Sequence, residues 1–205
     1  FLYHQPHRSV KVSKLKLSNQ GKKLLKLYET MVIEGYKRQD GSKVENAYND
    51  FELQKFRNIC KEHISHPSIK TVLDYGGGGS DWDKEGFEPS NGASAKQFFD
   101  VNTVTTFEPA RNQMDKKHSD CVVCMDVLEH IFLTDIANLV DELFSLTKKL
   151  LLINVACYKA AALLPNGENA HITVRSPDGW KGIIDGAAVK HPNVKVLLIC
   201  SKTFK

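Results

Sequence analysis

Long apolar runs are missing from this sequence. Stretches such as Leu150 to Ile153 and Val196 to Cys200 fall far short of the roughly 20 residues a helix needs to cross a bilayer. No integral membrane helix is therefore expected. The first ten residues, Phe1 to Val10, lack the apolar centre and small-residue cleavage site of a secretory leader. Cysteine is sparse, five residues in all (Cys60, Cys121, Cys124, Cys157 and Cys200). An odd number at scattered spacing is no disulfide framework, which points to a reducing compartment and a cytoplasmic location. No internal repeat and no low-complexity tract is present, which excludes solenoids and biased linkers.

What is there is an ordinary globular composition, with 41% hydrophobic and 25% charged residues over 205 positions. That is enough chain for one domain with a sizeable core. The net charge of +4 is unevenly spread. Arg8, Lys11, Lys14, Lys16, Lys22, Lys23 and Lys26 all precede the first acid, Glu29, so the rest of the chain carries −3. Such an arm fits contact with nucleic acid or another polyanion, and it equally fits a solvated arm and helix face. No aromatic residue interrupts Arg8 to Lys26, so the stacking platforms of a single-strand binder are lacking there.

The apolar spacing divides the chain into residues 1–66, a basic arm with helices packing on a core, and residues 67–205, the core itself. Ser18 caps a helix running to about Glu34, with Leu24, Leu27, Tyr28 and Met31 as its stripe and Gly35 as its stop. Residues 37–48 are polar and read as a loop. Asn49 followed by Glu52 opens a second helix striped by Leu53, Phe56, Cys60 and Ile64. Short apolar strands follow at Thr71 to Leu73, Val104 to Phe107, Cys121 to Met125 and Leu150 to Val155. Helices are expected at Ala95 to Phe99, after a cap at Thr134, and near Trp180, with a last strand at Val194 to Cys200. Alternating strands and helices predict an α/β fold: a mostly parallel sheet with helices on both faces. Cys121 and Cys124 lie three apart in one strand and so face opposite sides, which favours core thiols over a metal or redox pair.

Ligands of such sheets bind at the carboxyl ends of the strands. Asp74, Glu108, Asp126 and Asn154 stand at those ends. Gly76 to Gly79 follow Asp74-Tyr75 directly, so the backbone there can approach a ligand closely, or simply form a flexible turn. No Gly-Lys-Ser/Thr follows, which excludes a P-loop. Asp81 stands at the third glycine position of a dinucleotide fingerprint, and Asp81 and Asp83 would repel a pyrophosphate. A cationic ligand with a ribose diol fits better, because Glu108 can accept from both hydroxyls.

Three motifs in order carry a resemblance. Thr71 to Ser80 resembles the first motif of class I S-adenosylmethionine-dependent methyltransferases, with Asp74, Gly76 and Gly78 in place and Ser80 at the usual third glycine. Phe107-Glu108-Pro109 is similar to the acidic end of the family's second strand. Asp120 to Ile131, containing Val127-Leu128-Glu129-His130, is similar to a stretch found in many of its small-molecule enzymes. The resemblance covers residues 68–157. It implies a Rossmann-like methyltransferase fold, S-adenosylmethionine as cofactor and S-adenosylhomocysteine as product. It also implies a cofactor site at Asp74, Tyr75, Gly76, Gly77, Gly78, Glu108, Pro109, Asp126, Val127 and Leu128.

Only Ala110 to Ser119 separates Glu108 from Asp120. The family's third strand and its adenine-contacting acid are therefore expected to be reduced or missing. Residues 81–102 are long for the family and are expected to act as a lid, with Trp82 and Phe87 as cover groups or as core.

The segment Leu164 to Thr173 resembles a Leu-Pro-x-Gly-x-Asn-Ala-His stretch of methyltransferase-like proteins. His171 within it is the candidate general base or acceptor-orienting residue; a loop held by its own side chains is the plain reading. His130 is the second catalytic candidate, beside a structural role shared with Glu129 in the strand-to-helix turn. The other histidines show no metal spacing, and no metal is expected. No Asp/Asn-Pro-Pro-Tyr/Phe and no Pro-Cys pair occurs, which turns the reading from amino-methylating and cytosine-C5 nucleic-acid enzymes to an O or N atom of a small molecule or sugar. Two rivals stand: a non-catalytic module on a degenerate fold, and an RNA methyltransferase tethered by the basic arm.

Overall fold

The structure is a computed structural model that describes residues 16–45 and 52–203. Helix α1 (Asn19–Glu34) begins where the Ser18 hydroxyl accepts from the Gly21 amide at 3.0 Å. It ends at Gly35, φ +77°, whose N–H returns to the Met31 carbonyl. The segment expected as a loop instead forms a hairpin, β1 (Tyr36–Arg38) and β2 (Lys43–Val44). Asp40 closes its turn by accepting from the Ser42 amide and hydroxyl. Most of its side chains are exposed, so no apolar alternation marks it in the sequence. Helix α2 (Leu53–Ile64) follows without a side-chain cap from Glu52, and Asn49 lies outside the described residues.

The main sheet is built from β3 (Thr71–Tyr75), β4 (Thr103–Glu108), β5 (Gln113–Met114), β6 (Ser119–Met125), β7 (Thr147–Ala156) and β9 (Lys195–Ser201). Between these come α3 (Ala95–Phe99), α4 (Leu133–Leu146), β8 (Ala162–Leu163) and α5 (Pro177–Ala188). The strand order is β5-β4-β3-β6-β7-β9. Every neighbouring pair is parallel except β4 with β5. Between Glu108 and Ser119 the chain makes one 3-10 turn (Pro109–Arg111) and the two-residue β5. The fold is thus mixed α/β with a six-stranded, mostly parallel sheet.

Alternation along the strands sorts the core into two layers. Leu73, Tyr75, Val122, Cys124, Leu151 and Ile153 face α4 and α5, where Leu139, Leu143, Trp180 and Ile184 meet them. Val72, Cys121, Val123, Leu150 and Leu152 face α2 and α3, against Leu53, Cys60, Ile64 and Phe99. Cys121 and Cys124 do face opposite layers. Each fully buried aliphatic side chain contributes about 1.5–3 kcal/mol of transfer free energy, so these layers dominate the stability. Trp82 and Phe87 belong to the second layer, at 3% and 4% exposure, packed with Phe98 and Phe99. Trp82, Phe87, Ala95, Phe99 and Val101 of residues 81–102 thus pack into the core, most of the remaining side chains there are exposed, and none of the stretch borders the cleft as a lid would.

The roof comes from elsewhere. Strands β1, β2 and β8 make a separate small sheet in the order β2-β1-β8. Helix α1 packs beside it on Ala160, Leu164 and Ala170 through Leu24 and Met31. Its start is pinned to α4, where the Asp135 carboxylate accepts from the Ser18 amide and hydroxyl, both at 2.8 Å. Helix α4 begins at Leu133 with no side-chain cap, so Thr134 lies in its first turn rather than capping it. No helix among the described residues is long and apolar enough to cross a membrane.

Candidate functional site

A cleft of about 170 Å³ opens at the carboxyl ends of β3 and β6. Its floor is Asp74, Gly76, Gly77, Gly78 and Ser80 from the β3 end, with Met125 and Asp126 from β6. Its far wall is His130, Tyr158 and His171, and its rim is Tyr36 and Arg38 of the hairpin, Leu53 and Lys55 of α2, and Ala160 to Ala162.

The glycine run is shaped by two acids. Asp74 is buried and accepts from Ser80 Oγ at 2.5 Å and Trp82 Nε1 at 2.8 Å. Burial raises its carboxyl above the ordinary range, against the pull of those two donors. The serine at the third glycine position thus ties the loop down. A Cβ on Gly77 would lie 2.6 Å from Asp74 Oδ2 and 2.8 Å from Ser80 Oγ, so only glycine fits there. Glu108 grips the other side: Oε2 accepts from the Gly78 amide at 2.9 Å and Oε1 from the Ala110 amide at 3.0 Å. Gly76 has φ +75°, and its amide reaches the Phe107 carbonyl at 2.7 Å.

Of the residues assigned to the cofactor, Asp74, Gly76, Gly77, Gly78 and Asp126 border the cleft. Glu108 and Pro109 sit behind the glycine loop. Tyr75 and Leu128 turn their side chains into the core, with the Tyr75 hydroxyl on Glu142. The Val127 side chain packs on Gly76 and the same core. Asn154 binds the β9 carbonyl of Ile199 and the Ser201 hydroxyl, and ties two strands together away from the cleft.

Both catalytic candidates face the cleft, and their tautomers follow from their partners. His130 Nδ1 lies 3.0 Å from the Ala170 carbonyl and 3.0 Å from Tyr28 Oη, which itself donates to that carbonyl at 2.8 Å. A carbonyl only accepts, so Nδ1 carries a proton and Nε2 is the atom turned toward Asp126. His171 Nδ1 likewise donates to the Tyr158 carbonyl at 2.5 Å. Burial, then the neighbouring His130, lowers the His171 pKa and so favours the uncharged ring. The two rings meet edge-to-face at 4.8 Å, and His130 Nε2 lies 4.0 Å from Asp126 Oδ2.

Asp126 has φ +58°, a strained setting for a non-glycine residue that sites rather than cores preserve. Burial works to raise its carboxyl, yet His130 outweighs it and holds it below the usual carboxylate range. Glu129 is fully enclosed and accepts from the Ala156 amide. Burial, then the Asp126 carboxylate, pushes its carboxyl well up.

The segment around His171 is also held by its own side chains. Asn169 accepts from the Ala160 and His171 amides and donates to the Ala160 carbonyl. Thr173 binds the Glu129 and Ile131 main chain. The loop is therefore fastened, and what it fastens is His171 in the cleft wall.

The family models, the curated proteins and the solved structures contain no match to this chain. Its site is thus read from its own geometry. Tyr158 and the hairpin pair Tyr36 and Arg38 were not foreseen from sequence. Tyr158 could have been, since it stands two residues past the end of β7, where polar groups meet the cleft. The hairpin could not, because its approach to the cleft is a matter of tertiary packing.

Proposed function

We propose that the chain is an S-adenosylmethionine-dependent methyltransferase of the class I type, with a Rossmann-like sheet, acting on an O or N atom of a small molecule or sugar. One observation carries the reading: a glycine loop, tied by Asp74 and Glu108, borders the cleft at the ends of adjacent parallel strands. The cleft floor presents carboxylates, which suits a sulfonium and an ammonium group and opposes phosphates. Each Glu108 oxygen accepts one main-chain amide and keeps a second lone pair, which supports a role in holding the ribose diol. On this reading β5 is the remnant of the family's third strand, and the adenine lies beside a shortened edge.

The donor is already activated, so the protein orients and desolvates. An acceptor O–H or N–H lies against His171, whose lone pair orients it and takes its proton. Bound S-adenosylmethionine would supply the methyl group from its sulfonium, with the carbon–sulfur pair left on sulfur as the bond to the acceptor atom forms. His130 steadies His171 from the side.

Calorimetric titration with S-adenosylmethionine and S-adenosylhomocysteine tests the reading. Micromolar binding is expected, lost in Glu108→Ala. Failure of the folded protein to bind either would replace the enzyme with a non-catalytic module. With an acceptor in hand, His171→Ala should cut turnover and leave cofactor affinity intact.

A further inference from the structure

Asp126, His130 and His171 each offer a ligand atom to one point, and these atoms lie within 4.8 Å of one another. All three residues line the cleft. With both Nδ1 atoms donating to main-chain carbonyls, each ring turns Nε2 toward the carboxylate and can offer its lone pair there. Two imidazoles and a carboxylate gathered in this way share a proton or hold a cation.

We propose that Asp126, His130 and His171 bind one divalent transition-metal ion of the zinc, iron(II) or manganese class. Two imidazoles and a carboxylate are the ligand types those ions prefer, whereas calcium and magnesium take oxygen sets. Three protein ligands are one short of a structural zinc site, so further coordination positions stay open toward the cleft.

The outer partners are those a metal site needs. The Ala170 and Tyr158 carbonyls fix the ring tautomers, and the Tyr28 hydroxyl braces the Ala170 carbonyl. Asn169 fastens the loop that carries His171. Asp126 is aimed by its left-handed backbone, with its amide on the Asn154 carbonyl at 3.1 Å. Bonds of ~2.1 Å require ligand atoms roughly 3–3.4 Å apart. The three ligand atoms, within 4.8 Å of one another and 4.0 Å apart for His130 Nε2 and Asp126 Oδ2, draw together when the ion binds.

The ion also narrows the acceptor, a second step that rests on the methyl-transfer reading; binding of the ion does not. An acceptor oxygen fills an open position, and its hydroxyl proton, made more acidic by the ion, passes to solvent water. The oxygen pair then bonds to the methyl carbon while the carbon–sulfur pair stays on sulfur. In the loaded protein His171 acts through the ion instead of taking the proton itself. The acceptor class is thus a hydroxyl compound, in preference to an amine.

The test is a titration of untagged, chelator-treated protein with Co2+, followed by visible absorption and calorimetry. One equivalent should bind at micromolar or lower concentration, with ligand-field bands free of thiolate charge transfer, and Zn2+ should displace it. Asp126→Asn, His130→Gln and His171→Gln should each weaken binding at least tenfold. Tyr28→Phe, which leaves all three ligands in place, should weaken it by about tenfold. Glu108→Ala should lose S-adenosylmethionine and keep Co2+.

No Co2+ binding by the folded wild-type protein, a thiolate band, or binding that survives in the ligand variants overturns the proposal. The first of these results would mark His130 as a protonated partner of Asp126. Co2+ binding without cofactor binding would sink the methyl-transfer reading alone, and cofactor binding without Co2+ would sink the metal alone.

Discussion

Replacing Gly76 by alanine strikes the loop at its hinge. Gly76 has φ +75°, and an alanine there costs about 1–2 kcal/mol from backbone sterics alone. A Cβ at this position would also overlap Cγ2 of Val127, with Cγ1 at 3.3 Å. Val127 is β-branched and stiff at χ1, so it yields poorly. Forcing one methyl into such a contact adds about 1–3 kcal/mol. The two effects together amount to about 2–5 kcal/mol, or a melting point lowered by about 4–20 °C in a chain of this size. Thermal and urea unfolding followed by circular dichroism would measure it. The double variant Gly76→Ala/Val127→Ala separates the causes. Relief of the overlap should appear as a favourable coupling of about 1–3 kcal/mol, while the backbone cost remains. A Gly76→Ala protein within about 0.5 kcal/mol of wild type would refute the geometry. So would a double variant whose losses simply add.

Two further outcomes follow from other parts of the fold. Asp120 joins the starts of three strands, accepting from the Lys70 and Thr71 amides, the Thr71 hydroxyl and Lys149. Burial raises its carboxyl, but Lys149 and those amides outweigh burial and bring it down from 3.8 to about 2. A lowered native pKa contributes stability above pH ~4 that is lost as pH falls toward ~2, worth about 1–2 kcal/mol after solvent screening. Asp120→Asn should therefore be less stable at pH 7 and show a flatter acid limb in unfolding free energy against pH; an unchanged limb would remove Asp120 from that role. Among the thiols, Cys121 and Cys124 are buried in opposite layers and raised by burial, while Cys157 is partly exposed and pushed up to about 11 by burial, then by Cys200. A thiol reagent should modify Cys157 and Cys200 first and reach Cys121 and Cys124 only on unfolding, and a native Cys121–Cys124 disulfide would contradict the layering.

Local rules account for what was legible. The caps and stripe of α1 were visible because Ser18, Gly35 and the apolar spacing act within a few residues of one another. The strands of the parallel sheet were visible because burial on both faces leaves continuous apolar runs. The acids at the ends of β3, β4 and β6 were visible because a strand end is a sequence position. The hairpin at Tyr36 to Val44 was not, since its exposed side chains show no period. Trp82 and Phe87 were ambiguous, because an aromatic residue in a polar stretch can serve as cover or as core. Here Phe98 and Phe99 decide for core.

The sequence by itself determined the α/β class, the glycine run after β3 and the chemical kinds of residue at the strand ends, all of which depend on neighbours within one element. Only the tertiary structure decided which of those residues meet. His130 and His171 stand 41 positions apart in the chain, yet their rings lie 4.8 Å apart. Their Nε2 atoms turn inward because the Ala170 and Tyr158 carbonyls hold the Nδ1 side of each ring. Tautomer, direction and convergence are set by hydrogen-bond partners contributed from distant segments, and no spacing rule along a single chain contains them.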